Sequence, residues 1–247
     1  MKQDGIFIIG TDTDVGKTFV TSLLGALAKD DGYHVGMVKP VASGAIPCSQ
    51  GTLESIDATT MMNAVGIPES RRGEVNTIAL PGEFSPRLAA ELAGVTINYP
   101  DLVNHIAMVV AQYDLTFVEG AGGITTPLTS DKTFTDLGRD VNLPTLLIAD
   151  GRLGSINRVI LTWAYGLSQG IEIKGIIVNN TINVDEFLLD TNVKDMEHYT
   201  GLPVLGVLPP YDGPDDWAVR TEWARQYIDS QAIWNRLLEK GSESNEI

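Results

Sequence analysis

Short apolar segments alternate along the chain with longer segments in which apolar residues recur at helical spacing. The apolar segments are hydrophobic on both faces, which is typical of strands in a parallel sheet that is covered on each side. We predict strands at 6–9, 35–41, 115–118, 145–149, 173–178 and 204–208, and helices at 17–29, 57–65, 101–112, 155–168, 185–199 and 217–238. This alternation predicts an α/β fold with a doubly wound parallel sheet.

The chain shows no linker, repeat or low-complexity block that would separate two domains. Apolar residues make up 43% of its 247 residues, which is enough to bury a large core. We therefore expect a single α/β domain over residues 1–240, followed by a polar tail at 241–247 that frays. The last predicted helix contains three tryptophans, which we expect in the core or in an oligomer interface rather than in a stacking platform: Trp217, Trp223 and Trp234.

The charge balance and the cysteine count argue against several classes of protein. A net charge of −15 disfavours non-specific binding to nucleic acid or to an anionic membrane, because both are themselves negative. The single cysteine, Cys48, excludes a disulfide framework and fits a reducing compartment. The apolar run at 6–9 is too short for a secretory signal or a membrane span, so we expect a cytoplasmic protein without membrane or nucleic-acid partners.

Ligands of parallel α/β sheets bind at the carboxyl ends of the strands, so the residues that follow each strand are site candidates. The first predicted strand is followed by Gly10-Thr-Asp-Thr-Asp-Val-Gly-Lys-Thr18 and then by a helix. In this context backbone amides bind phosphate, Lys17 reaches the phosphates and the Thr18 hydroxyl can ligate Mg²⁺. Although Thr11 occupies the position of the usual first glycine, the sequence predicts a phosphate loop and a P-loop NTPase-like domain.

Charged residues also end two other predicted strands and open one helix. Lys39 could neutralise a phosphoryl group or a substrate anion, although a lysine at a strand end is as often a solvated edge residue. Glu119 ends a buried strand, which is where P-loop enzymes place a carboxylate near Mg²⁺, and this interpretation is favoured over that of a simple turn acid. Asp57 could also hold the metal, but an ordinary acid in the first turn of a helix is the more common explanation.

Two further strand ends carry polar groups whose functions stay open at this point. Ser155 is predicted to cap the helix that follows the fourth strand, leaving free amides that could bind a carboxylate, and an ordinary capped helix is equally consistent. Asn179 offers a donor and an acceptor that suit an adenine edge, whereas a turn-forming Asn179-Asn180 pair is the simpler alternative.

These segments together resemble the dethiobiotin synthetase family. The matching stretches are Gly10-Thr-Asp-Thr-Asp-Val-Gly-Lys-Thr18, Lys39-Pro-Val-Ala-Ser-Gly44, Glu119-Gly-Ala-Gly-Gly123 with Pro127-Leu128, Gly154-Ser-Ile-Asn157 and Val178-Asn179, in the family's order. The phosphate loop combined with the stretch at 39–44 is the most specific part. The resemblance implies a homodimeric P-loop fold and an ATP- and Mg²⁺-dependent enzyme that converts 7,8-diaminopelargonate and CO₂ to dethiobiotin.

The resemblance also implies a reaction course. One amine captures CO₂ as a carbamate, and a carbamate oxygen attacks the γ-phosphate of ATP to give a carbamic-phosphoric anhydride and ADP. The second amine then closes the cyclic urea and expels phosphate. Such chemistry requires positioning and charge neutralisation more than covalent catalysis.

By resemblance, individual residues of this chain take family roles. Lys17, Lys39 and Thr13 are implied as catalytic, and Thr18, Asp57 and Glu119 as Mg²⁺ ligands. Substrate contacts are implied at Thr13, Lys39 and Ser43 and, from the partner subunit, at Ser155, Ile156 and Asn157, where a helix N-terminus takes the substrate carboxylate. Nucleotide contacts are implied at Asp14, Val15, Gly16, Lys17, Thr18, Phe19, Glu119, Gly122, Asn179 and Pro209, and residues after Pro209 are expected to close over the nucleotide.

The chain departs from the family pattern at several positions. Asp14 stands where the family often has Glu or Ser, and Arg87 stands where His is frequent, so Arg87 receives no role. Residues 211–247 match the family weakly, and the sequence does not distinguish ATP from CTP.

Three alternative functions compete with the one that the resemblance implies. A partitioning-type ATPase would carry a signature lysine where Asp12 stands. A corrinoid-type amidoligase would add a glutaminase domain with a catalytic cysteine, for which this chain has no room. A paralogue that uses another diamine is consistent with the same sequence.

Overall fold

The alternation of strands and helices is present in the structure, a computed structural model that describes residues 4–48 and 51–238. The strands are β1 (Asp4–Gly10), β2 (Val35–Val38), β3 (Val41–Ala42), β4 (Ile46–Pro47), β5 (Leu53–Glu54), β6 (Ile78–Ala79), β7 (Leu115–Gly123), β8 (Thr145–Asp150), β9 (Ile173–Asn179) and β10 (Val204–Leu208). The helices are α1 (Lys17–Asp30), α2 (Ile56–Val65), α3 (Arg72–Val75), α4 (Pro86–Ala93), α5 (Tyr99–Val110), α6 (Phe134–Val141), α7 (Ser155–Ser168), α8 (Glu186–Thr200), α9 (Trp217–Ala224) and α10 (Ser230–Leu238). The predicted tail at 241–247 lies outside the described residues.

Six strands form one parallel sheet in the order β10-β9-β8-β1-β7-β2. β1 lies near the middle, where Phe7 pairs with Val118 of β7 on one side and with Thr145 of β8 on the other. The predicted doubly wound parallel sheet is therefore confirmed. Since β1 sits between β7 and β8, the loop after β1 opens into the crevice where such sheets bind ligands.

Side chains alternate along β1 between two cores, as the two-residue period of a strand requires. Ile6 and Ile8 pack on the side of α1, α2, α9 and α10, whereas Phe7 and Ile9 pack on the side of α4 to α8. Burial on both faces explains why these strands are continuous apolar runs. Within the described ranges, no helix combines the length and the apolar character needed to cross a membrane.

The single helix predicted at 217–238 is wrong, because the structure contains two helices, α9 and α10, in this region. Ile228 is buried between them and forms an antiparallel bridge with Gly206 of β10. At this bridge the chain is not helical, and it covers the edge of the sheet at β10. Asp229 then accepts a hydrogen bond from the Ala232 amide and starts α10.

Two predicted strands also have different ends in the structure. The strand predicted at 35–41 ends at Val38, because Pro40 lacks an amide hydrogen, and the chain resumes as β3, which pairs with β6. The strand predicted at 115–118 continues to Gly123.

One helix, α6, was not predicted from the sequence. It begins at a capping box formed by Thr133 and Asp136.

Candidate active site

Five of the predicted site residues meet at the carboxyl ends of β1, β2 and β7. The Oε1 atom of Glu119 accepts hydrogen bonds from the Thr18 hydroxyl at 2.7 Å and from Lys39 Nζ at 2.6 Å. The same lysine lies 3.0 Å from Oδ2 of Asp57, in the first turn of α2. Lys17, beside Thr18, is close enough to Lys39 that the Lys39 ammonium lowers the pKa of Lys17. The fold thus brings two lysines, two carboxylates and one hydroxyl together.

The phosphate loop has the backbone conformation that its sequence requires. Gly16 precedes α1 with φ of 80°, and a Cβ atom there would lie 2.1 Å from Nδ2 of Asn179. Asp14 also has a positive φ, of 57°, which Asp tolerates better than most residues. Because no side chain caps α1, the amides of its first turn are available to an anion. Lys17 Nζ folds back to donate to the Asp12 carbonyl at 2.7 Å.

The two lysines have opposite electrostatic environments. Burial lowers the pKa of Lys17 to about 8, and the nearby Lys39 ammonium adds to this effect. Burial would also lower the pKa of Lys39, but the carboxylates of Glu119 and Asp57 together raise it. Burial opposes ionisation of Asp57, and the Lys39 ammonium nonetheless holds the pKa of that carboxyl below its usual value. The carboxylates therefore favour the charged form of Lys39, whereas a bound phosphate would raise the lowered pKa of Lys17.

The donor set at this point fits a magnesium ion. Glu119 is fully buried, and its Oε2 atom has no hydrogen-bond partner among the described residues. In the described part of the chain, no group of three or more His, Cys, Asp or Glu side chains could hold a metal. The protein would thus supply one hydroxyl and few carboxylates, with phosphate and water completing the shell, as Mg²⁺ sites commonly do.

A cavity of about 880 Å³ opens beside the phosphate loop. Several predicted residues line it: Thr13, Asp14, Ser43, Asp57 and Gly122. The cavity also includes residues for which the sequence predicted no function: Ser55, Ile56, Glu83, Phe84, Ser85, Pro86, Thr126 and Pro127. The sequence signal for this wall is Arg87, which follows Ser85 and Pro86 directly and departs from the family pattern.

Comparisons with known proteins show which family this chain belongs to. A protein family described as an AAA domain matches residues 4–215. An ATP-dependent dethiobiotin synthetase BioD of Bacillus thuringiensis (strain Al Hakam) is 31% identical over 92% of this chain and 91% of its own length. A protein of the same name from Bacillus cereus (strain G9842) is 30% identical over the same shares. The chain belongs to the dethiobiotin synthetase family.

Solved structures that resemble the chain have low sequence identity, and they show the fold alone. The MinC:MinD cell division protein complex of Aquifex aeolicus gives a TM-score of 0.53 at 17% identity, covering 98% of both chains. A ParA family ATPase from Chlorobium tepidum TLS gives 0.52 at 12% identity, covering 94% of this chain and 93% of its own. This member of the dethiobiotin synthetase family therefore shares the fold of these two proteins.

In this family member, the prediction that Ser155 caps α7 is wrong. The capping position is Gly154, whose φ of 90° is strained for a residue with a side chain. Ser155 is instead the first helical residue, and its buried hydroxyl donates to the Arg152 carbonyl at 2.7 Å. Asn157 is exposed and Ile156 is half-buried. The amides of this first turn have no side-chain cap, and none of residues 155–157 lines the cavity.

A buried carboxylate that the sequence did not single out fixes the loop before α7. Asp150 ends β8 and is paired with Arg152 at 2.6 Å and with Arg158 at 2.8 Å. Its only sequence signal was an acid directly after a buried strand, which is the same pattern that singled out Glu119.

Two of the predicted nucleotide contacts lie at neighbouring strand ends. Asn179 ends β9, is buried and donates from Nδ2 to the Val15 carbonyl at 3.0 Å. Pro209 follows β10 directly. Phe19 lies in the first turn of α1 and faces Tyr211 rather than the cavity.

Proposed function

We propose that this protein is a Mg²⁺-dependent dethiobiotin synthetase, which uses ATP to join CO₂ to 7,8-diaminopelargonate and close a cyclic urea. The observation that carries the proposal is the position of Lys39. This buried cation lies between Glu119 and Asp57, next to the phosphate loop, and Asp57 also lines the cavity. A fixed positive charge between a phosphate site and a substrate site suits the transfer of a phosphoryl group to an anionic acceptor.

In this proposal, the nucleotide phosphates lie on the uncapped first turn of α1 and on Lys17. Thr18, Glu119 and Asp57 would hold Mg²⁺, which when bound neutralises the negative charge on the β- and γ-phosphates. Lys39 then exchanges its carboxylate partners for the γ-phosphoryl group and the carbamate. Asn179 and Pro209 would flank the base, since both lie at strand ends beside the loop.

The proposed reaction has three steps. An amine nitrogen forms a bond to CO₂ and loses a proton, giving the carbamate. A carbamate oxygen forms a bond to the γ-phosphorus while the bond to the β–γ bridging oxygen breaks, and ADP leaves. The second amine forms a bond to the carbamate carbon and loses a proton, the carbon–oxygen bond to phosphate breaks, and phosphate leaves. Lys17 and Lys39 neutralise the anions of the middle step.

Thr13 and Ser43 would hold the diamine–carbamate, because both line the cavity. The substrate carboxylate would lie on the α7 N-terminus of a partner subunit, at 155–157. Exposed apolar side chains at this edge of the sheet support a homodimer: Leu153, Ile182 and Phe187.

We also place the protein in the cytoplasm and assign residues 1–240 to one domain. The single cysteine supports a reducing compartment. The six-stranded sheet, which runs from β1 to β10, supports the single domain.

A steady-state assay of ADP release tests the proposed function. Purified protein is incubated with ATP, Mg²⁺ and bicarbonate, with and without 7,8-diaminopelargonate. The proposal requires ADP release that depends on both the diamine and bicarbonate. ATP turnover that ignores the diamine would instead favour a nucleotide-switch ATPase or a paralogue.

A further inference from the structure

An arginine at the centre of an aromatic cluster connects α9 to the first turns of α1. The Arg220 guanidinium carbon lies 4.8 Å from the ring centroid of Trp217, 5.4 Å from that of Tyr211 and 6.0 Å from that of Phe19. Trp223 completes the group, with its ring centroid 5.0 Å from that of Tyr211. These five residues form what we term the Arg220 cluster. Trp217 and Trp223 are thus half-buried around a cation, which the sequence did not predict.

The cation is held mainly by ring faces. The Nε atom of Arg220 is buried and has no hydrogen-bond partner among the described residues. Nη1 pairs with Asp215 at 2.7 Å, but this carboxylate is 88% exposed, so the pair contributes little to stability. Cation–π attraction to a ring is stronger when the cation is desolvated, and the Arg220 side chain is only 18% exposed.

The cluster fixes the segment 209–216, which connects β10 to α9. This segment folds around Tyr211, whose hydroxyl donates to the Pro214 carbonyl at 2.7 Å. Gly213 packs so closely against this ring that a Cβ atom would lie 2.6 Å from the Tyr211 oxygen. The Phe19 and Tyr211 ring centroids are 6.3 Å apart, so the segment rests on α1 two residues beyond Lys17.

The segment also begins beside the phosphate loop. Leu208, the last residue of β10, pairs with Asn179 of β9, and Asn179 in turn donates to Val15 of the loop. A nucleotide with its phosphates on the loop would therefore have its base and sugar near 209–216. Arg220 itself is one turn into α9 and does not line the cavity.

We propose that Arg220 is a positioning residue, which holds segment 209–216 against α1 and thereby sets the affinity for the base and sugar of the nucleotide. The proposal rests on the nucleotide site of the proposed function. Since the phosphates bind to Lys17 and to backbone amides of α1, loss of Arg220 leaves the phosphate contacts in place. A variant should thus distinguish a complete nucleotide from a ligand that consists of phosphates alone.

Calorimetric titration with ATP and with inorganic tripolyphosphate tests this distinction. We expect Arg220→Gln to raise the Kd for ATP about tenfold and the Kd for tripolyphosphate less than about twofold. Arg220→Lys keeps the cation and should retain most of the affinity for ATP. Arg225→Gln is the matched control, because Arg225 follows the same helix but pairs with Asp30 and Asp31. It should change neither Kd.

Two results would overturn the proposal: an unchanged Kd for ATP in Arg220→Gln, or an equal rise for both ligands. If Arg220→Gln does not fold, Tyr211→Leu provides the same test, and a selective loss of ATP affinity supports the proposal while an equal loss overturns it. If the wild-type protein binds neither ligand, the nucleotide site of the proposed function fails as well. If the wild type binds ATP and only the variant prediction fails, the proposed function stands.

Discussion

The ammonium of Lys39 lies 2.6 Å from Oε1 of Glu119, and both side chains are buried although the two residues are 80 positions apart in the chain. The same ammonium lies 3.0 Å from Asp57. One cation thus neutralises both carboxylates that would hold Mg²⁺ in the proposed site. Because Lys39 shares these carboxylates with the proposed metal site, Mg²⁺ held by Glu119 and Asp57 would weaken their attraction for the Lys39 ammonium, which could then turn toward the reacting anions.

Replacing Lys39 by Gln should reduce turnover far more than nucleotide affinity. The variant loses the charge that stabilises the carbamate and the γ-phosphoryl group, while Lys17 and the α1 amides still bind phosphate. We expect kcat to fall about 100- to 1,000-fold and the Kd for ATP to change less than about threefold. Lys29→Gln, at an exposed lysine near the end of α1, is the control. Equal losses in kcat and affinity would refute the role.

Replacing Asp57 by Asn should weaken the dependence of the reaction on metal. If Asp57 contacts Mg²⁺ directly or through water, the Mg²⁺ concentration for half-maximal ADP release should rise about tenfold at fixed ATP. Asp101→Asn is a matched control, since Asp101 is also an acid in the first turn of a helix but belongs to α5. An unchanged metal dependence in Asp57→Asn would make Asp57 an ordinary first-turn acid.

Mixing two inactive variants should restore activity if the substrate site is shared between subunits. Lys17→Ala disables the phosphate loop, and Asn157→Asp places a negative charge on the exposed first turn of α7, where it repels the substrate carboxylate. A heterodimer has one intact site, so random mixing should restore about a quarter of wild-type activity. No recovery, in a mixture where mass spectrometry shows subunit exchange, would argue against the shared site.

The contact between Asp31 and α10 should make stability depend on pH. Asp31 accepts hydrogen bonds from Ser230 at 2.7 Å, from Trp234 at 2.8 Å and from Arg225 at 2.6 Å. Burial alone would raise the pKa of the Asp31 carboxyl, but these donors lower it. We expect Asp31→Asn to reduce the free energy of unfolding by about 1–3 kcal/mol at pH 7.

The sign of this pH dependence follows from the lowered pKa. A carboxyl whose pKa is lower in the folded state stabilises the fold above its unfolded pKa of about 4, and this contribution is lost as pH falls through the folded pKa. The difference between wild type and Asp31→Asn in urea denaturation should therefore shrink between pH 7 and pH 3. Asp30→Asn is the control, because Asp30 contacts Arg225 from a more exposed position. A difference independent of pH would contradict the account.

Local patterns were enough to predict much of the fold. The bounds of α7 and β10 match those predicted at 155–168 and 204–208, because an apolar period or a buried run is visible in a few consecutive residues. The phosphate loop was predictable for the same reason, since its glycine, lysine and threonine are adjacent.

Features that depend on distant residues were not predictable in this way. The break between α9 and α10 depends on the bridge of Ile228 to Gly206 in another element. The Arg220 cluster depends on the contact between Phe19 of α1 and Tyr211, which are far apart in the sequence. Tertiary contacts of this kind override local preference.

In the proposed function, this site uses ATP to fix CO₂ into a cyclic urea. The sharpest test is mass spectrometry of the product formed from carbon-13 bicarbonate, 7,8-diaminopelargonate, ATP and Mg²⁺. We expect dethiobiotin that carries one labelled carbon and forms in equal amount to ADP. ADP formed without a labelled cyclic product would rule out the proposed function.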